Sequence, residues 1–141
     1  MNNKLEITSV WEDDDLFRVK VNASNADFSG AAECYAQRKE LMELALSLQG
    51  FPKSTEDKVN YLAESQNFSF FTLVFSCRSN WKVNLRIKVA NIVISNAPKV
   101  HNVVEFDMAI EPAAIDSFVS SLKVLAIAEI GTVKAVLNAK T

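Results

Sequence analysis

Glycine is scarce in this chain: three in 141 residues, alongside three prolines, two cysteines and one histidine. So few glycines cannot easily build a loop that cradles phosphate, and no Walker or dinucleotide-binding pattern occurs. The single histidine, His101, is the only residue a Ser-His-acid arrangement could use. No serine sits in a nucleophile-elbow pattern, so His101 is expected to be a surface loop residue. CxxC and HExxH are both missing. Cys34 and Cys77 lie far apart in apolar, strand-like runs. They allow at most one disulfide, and buried free thiols in a reducing compartment are the favoured reading, which points to the cytoplasm. No apolar run approaches the roughly 18 residues of a membrane helix. Met1-Asn2-Asn3-Lys4 lacks the positive region and apolar core of a signal peptide. A net charge of -2 and a pI near 5.4 give no general attraction for nucleic acid. These absences lead us to expect no enzyme, no cofactor, no metal, no membrane and no nucleic-acid partner.

What is present is globular: 49% hydrophobic and 23% charged residues, in a length that suits a single domain over residues 1–141. Leu5 to Trp11 reads as a first strand. Phe17, Val19, Val21 and Ala23 alternate with Arg18, Lys20 and Asn22, the period-two pattern of a half-buried strand. Phe28 to Ala36 reads as a third strand, with Gly30 marking a bulge or a close backbone approach. From Gln37 to Gln49 the period changes: Leu41, Leu44, Ala45 and Leu48 line one face of a helix that Gly50 and Pro52 end. Residues 51–67 are irregular, and Ser54-Thr55-Glu56-Asp57 could open a short helix carrying Val59, Tyr61 and Leu62. Phe68 to Cys77 is a strand apolar on both parities. Trp81 to Val89 and Val104 to Ile110 alternate cleanly. Pro112 suits a first helical position, and Ile115, Phe118, Val119 and Leu122 form the second helical stripe. Residues 132–137 fit either a short closing strand or a last turn of helix.

The halves correspond. Phe17 to Val21 matches Leu85 to Val89 in character, each follows a tryptophan (Trp11, Trp81), and the two helix stripes align. Six more residues separate the matching points in the second half. The expected fold is therefore α+β: one antiparallel sheet of about six strands with two helices packed on one face. It is built from an internal βββα repeat with halves at about 4–50 and 67–131.

Two features could carry recognition. Glu12-Asp13-Asp14-Asp15 lacks the oxygen spacing and glycine of an EF-hand loop, so it reads as a solvated turn rather than a cation site. On a tip, its carboxylates could steer a basic partner surface. Phe68, Phe70 and Val74 lie on the parity opposite the expected core, where an uncovered apolar patch would mark a partner or self-association surface. The alternative is that residues 51–67 or the C-terminal tail cover it. Arg18, Lys20, Lys82, Arg86 and Lys88 form a basic stripe on the polar face, as in sheets that stack single-stranded RNA on aromatics. Glu105 and Asp107, on the next strand, would neutralise it by cross-strand pairing.

Several segments together resemble the WapI-type immunity proteins of bacterial polymorphic and contact-dependent toxin systems. They are Val19-Lys20-Val21, Asp27-Phe28-Ser29-Gly30 and Leu41-x-x-Leu44-x-x-x-Leu48 in the first half. In the second half they are Trp81-Lys82-Val83-Asn84-Leu85, Val104-Glu105-Phe106-Asp107-Met108 and a final helix with Phe118 and Leu122. The chain departs from that pattern at Asn80, where a glycine is usual, and in the longer segment from Ala90 to Lys99. The resemblance implies a protein that binds and neutralises a cognate toxin domain, without catalytic residues. Two roles stay open at this point: a cytosolic binding protein of this immunity type, or a homo-oligomeric domain, such as a homodimer, assembled through the apolar sheet surface. A small enzyme is the third, less favoured reading.

Overall fold

The structure, a computed structural model, describes residues 2–14, 16–65, 69–93 and 100–140. Its first half is a meander of β1 (Asn2–Glu12), β2 (Phe17–Ser24) and β3 (Ser29–Ala36), then α1 (Arg38–Leu48) and β4 (Lys58–Glu64). The second half repeats that order with β5 (Phe70–Cys77), β6 (Val83–Val93), β7 (Val100–Ile110), α2 (Pro112–Leu125) and β8 (Lys134–Lys140). All eight strands join one antiparallel sheet in the order β7-β6-β5-β4-β3-β2-β1-β8. The expectation of about six strands and a βββα unit is thus corrected to eight strands and a βββαβ unit.

β4 was not expected, and β8 is the strand alternative left open for residues 132–137. Ser54 to Asp57 looks like a helix start, but the Asp57 carboxylate folds back on the turn. It accepts the backbone N–H of Lys53 at 2.6 Å and of Ser54 at 3.0 Å, and the Ser54 hydroxyl at 2.9 Å. The chain leaves that turn extended, and β4 pairs with β5 from Lys58↔Ser76 to Glu64↔Phe70. β8 is a short strand that lies along β1, from Asn2↔Lys140 to Thr8↔Lys134. Each half therefore gives its last strand to the first strand of the other half. β3 and β4, consecutive in the sheet, meet at the single pair Tyr35↔Glu64.

The core lies on the helix side of the sheet. Leu5, Ile7, Val19, Val21, Phe71, Leu73, Phe75, Leu85, Ile87 and Met108 are buried there with the helix stripes Leu41/Leu44/Ala45/Leu48 and Ile115/Phe118/Val119/Leu122. Burying each such side chain contributes about 1.5–3 kcal/mol. Phe75 bridges the layers, 6.4 Å from the Phe51 ring and 6.3 Å from the Phe118 ring. Register also locates the six extra residues of the second half. Val21 pairs with Ala32 but Val89 with Val104, which places four of them in the longer β6–β7 hairpin. The remaining two, Ala109 and Ile110, lengthen the end of β7, since Phe17↔Ala36 corresponds to Leu85↔Met108 and one residue precedes each helix.

Beyond the strand exchange, further contacts tie the halves together. A Cβ built on Gly30 would lie 2.5 Å from Val104 Cγ1, so the β6–β7 arm packs directly on the β3 backbone. Asn91 donates its side-chain N–H to the Ala31 carbonyl beside that contact, at 3.2 Å. At the far edge, the Ser121 hydroxyl of α2 accepts the Val136 N–H of β8 at 3.1 Å, so a helix covers part of an otherwise open strand edge. Among the described residues, no helix is long and apolar enough to cross a membrane.

Candidate protein-binding face

The sheet face turned away from the helices carries the polar parity of every strand. Strand register places Trp11, Arg18, Tyr35, Glu64, Phe70, Ala90 and Val103 in one row crossing seven strands. Arg18 sits between two rings, 5.8 Å from the Trp11 centroid and 5.2 Å from that of Tyr35, and donates to the Tyr35 hydroxyl at 3.1 Å. Further along the row, the Lys88 ammonium lies 5.7 Å from the Phe70 ring.

Phe70 and Val74 lie on this outward parity and are half-buried, between the fully buried Phe71, Leu73 and Phe75. Phe68 and Asp15 fall outside the described residues. The structure adds Leu62, which is 50% exposed and pairs with Thr72 between the two. Leu62, Phe70, Thr72 and Val74 thus share one surface. Nothing in a single-strand periodicity reveals this, because it depends on β4 being a strand and on its register with β5.

The acidic turn is more constrained than its composition implies. Glu12 is held by Arg38 through two hydrogen bonds of 2.7 and 2.9 Å, and the Arg38 guanidinium holds the Glu12 carboxyl below its usual range. Arg38 also lies 4.6 Å from the Phe17 ring and donates to the Ala126 carbonyl at the end of α2, at 3.2 Å. Glu12 therefore clamps the β1–β2 hairpin to the helix layer. Asp13 accepts the Leu16 N–H at 2.8 Å, which shapes the turn, and Asp14 is exposed.

The basic stripe divides in two. Arg86 is paired with Asp107 at 2.8 Å and Glu105 at 3.3 Å, the cross-strand neutralisation expected from the sequence. Lys82 lies in the β5–β6 turn rather than on the strand. Glu6, between Lys4 at 2.6 Å and Lys134 at 3.8 Å, offsets cations on the outer strands. A nucleic-acid backbone would meet interleaved carboxylates here, not a continuous cationic track.

Elsewhere, His101 is exposed on β7, and Cys34 is fully buried, its thiol pushed up to about 12 by burial. Clefts of about 330 and 350 Å³ flank Ser29 to Ala31, lined by Lys4, Glu6 and Asn22 on one side and by Asn91, Asn102 and Val104 on the other. Among the described residues, no group of three or more His, Cys, Asp or Glu side chains could hold a metal ion. Comparison with family models, curated proteins and solved structures returns no match to this chain.

Proposed function

We propose that this chain is a non-catalytic, cytosolic binding protein whose partner docks on the outward sheet face around Leu62, Phe70, Thr72 and Val74. The partner class is a protein domain, and the biological role is that of an immunity protein neutralising a cognate toxin domain. What carries the reading is the placement of Leu62, Phe70 and Val74 together on the face opposite the helices, bordered by Lys88 and Arg86. Apolar centres with charged rims are the usual anatomy of a protein interface, and aromatic residues near the centre carry much of its energy. The immunity role rests on the sequence resemblance.

A photo-crosslinking residue placed at Thr72, in the middle of the patch, tests the docking surface in the native host. It should capture one discrete protein, and the same residue at Lys39 on the exposed side of α1 should not. Co-expression with the captured protein then tests the role, because a toxin domain should arrest growth alone and not with this chain. Equal capture from both positions would remove the docking face, and a harmless captured protein would remove the immunity role.

A further inference from the structure

Arg18 and Arg86 occupy corresponding places in the two halves, flanked by Trp11 and Tyr35 in one and by Val74 and Asp107 in the other. In the second half the cation is neutralised within the chain, with Asp107 2.8 Å and Glu105 3.3 Å from Arg86. In the first half Tyr35 stands where Asp107 would, and its neutral hydroxyl accepts one Arg18 N–H at 3.1 Å. Glu33, the counterpart of Glu105, lies across from Lys20 in register and forms no ion pair with Arg18. Among the described residues, Arg18 makes no other side-chain hydrogen bond and no ion pair.

Arg18 is half-buried, held between the Trp11 and Tyr35 rings at 5.8 and 5.2 Å and by the Tyr35 hydroxyl. Binding an anion there costs little further side-chain ordering. Its other N–H donors have the fork geometry that a carboxylate accepts two at a time. Trp11 is 43% exposed, and Trp, Tyr and Arg are the residue types enriched where interfaces concentrate their energy. The stack also continues the β4–β5 patch. Arg18, Tyr35, Glu64 and Phe70 follow one another in register, so Phe70 lies three strands away, roughly 14 Å at strand spacing. An interface of about 800 Å² per partner is roughly 30 Å across, enough to reach both. Exposed Glu64, directly across from Tyr35, limits the charge the stack accepts. One carboxylate is tolerated there, whereas a phosphate dianion or a polyanion is repelled more strongly.

We propose that the Trp11–Arg18–Tyr35 stack is a carboxylate subsite of the docking face. The partner protein sets an aspartate or glutamate side chain on Arg18 while its apolar contact covers Leu62, Phe70 and Val74. The partner thus supplies to the first half the carboxylate that Asp107 supplies within the second. The subsite rests on partner docking at this face and adds the charge that the partner must present.

Calorimetric titration with the protein captured through Thr72 tests the subsite. Arg18→Ala should weaken binding at least about tenfold. Arg18→Lys should recover only part of that loss, because an ammonium cannot make the two-pronged contact. The partner's interfacial aspartates and glutamates are then changed one at a time to asparagine or glutamine. One of these changes should alone weaken binding about tenfold, and in its presence Arg18→Ala should add less than about twofold, the mark of a direct pair. This arm alters only the partner, so it stays decisive if Arg18→Ala lowers the melting temperature of this chain. Unchanged affinity in a folded Arg18→Ala variant overturns the subsite. So does a loss coupled to no partner carboxylate, or one coupled to a phosphorylated side chain. Leu62→Arg separates the two readings. If it abolishes binding and Arg18→Ala does not, the subsite alone falls. If binding survives Leu62→Arg, or Thr72 captures nothing, the docking face falls and the subsite with it.

Discussion

A Cβ added at Gly30 would stand 2.5 Å from Val104 Cγ1, too close for either atom to stay in place. Gly30→Ala should therefore cost about 1–3 kcal/mol, as overpacked contacts do. Adding Val104→Ala should recover much of that loss, because the clash is with a side chain. Urea midpoints of the three variants check this, and an unchanged Gly30→Ala midpoint would refute the close approach. Cysteine chemistry gives a second check at this scale. Burial raises the Cys34 thiol from 9.0 to about 12, while Cys77 is only half-buried. One thiol should react with a disulfide reagent near pH 8 in the folded protein, and the second only on unfolding. Between about pH 9 and 12 the unfolded state releases the Cys34 proton that the folded state keeps, so stability should fall with rising pH in that window. Gly30 was legible in sequence as a bulge or close approach. That Val104 is what approaches was not, because the contact spans the two halves.

At the scale of elements, amphipathic periodicity was enough to place both helices and the faces they bury. Leu41, Leu44, Ala45 and Leu48, and Ile115, Phe118, Val119 and Leu122, are the buried stripes in the structure. Phe118→Ala, which empties the contact with Phe75 under α2, should cost about 3–5 kcal/mol, and Leu85→Ala about 2–5 kcal/mol. Chemical denaturation measures both, and a loss below about 1 kcal/mol in each would contradict a shared sheet–helix core. β4 escaped because local signals pointed to a helix, and β8 stayed one of two open readings. Ser54 to Asp57 is equally good chemistry for a helix start and for the side-chain-capped turn it makes. Thr132 to Leu137 was too short for its pattern to decide between strand and helix. The tryptophan correspondence also dissolves at this scale. Trp11 lies in β1 opposite Arg18, while Trp81 is in the β5–β6 turn with φ of 63°, and by register Val74 is the counterpart of Trp11.

Across the whole molecule, the reciprocal exchange of last strands makes one eight-stranded sheet from two similar halves. Both helices pack on one face, and the outward face carries Leu62, Phe70 and Val74. The half-repeat in sequence foreshadowed this doubling, but strand order could not be read from it, since exchange and non-exchange share the same local patterns. The same is true of the candidate site. Phe70 and Val74 follow from parity within β5, whereas Leu62 and the Trp11–Arg18–Tyr35 row exist only once register is fixed. The most direct measurement for a docking face is calorimetric titration of the captured partner with wild-type chain and with a Leu62→Arg/Val74→Arg variant. Two charges set into the apolar centre should weaken binding at least about a hundredfold, or 2.7 kcal/mol, with a melting temperature close to wild type because neither side chain is in the core. Undiminished affinity in a folded variant would contradict the claim that the partner docks on this face.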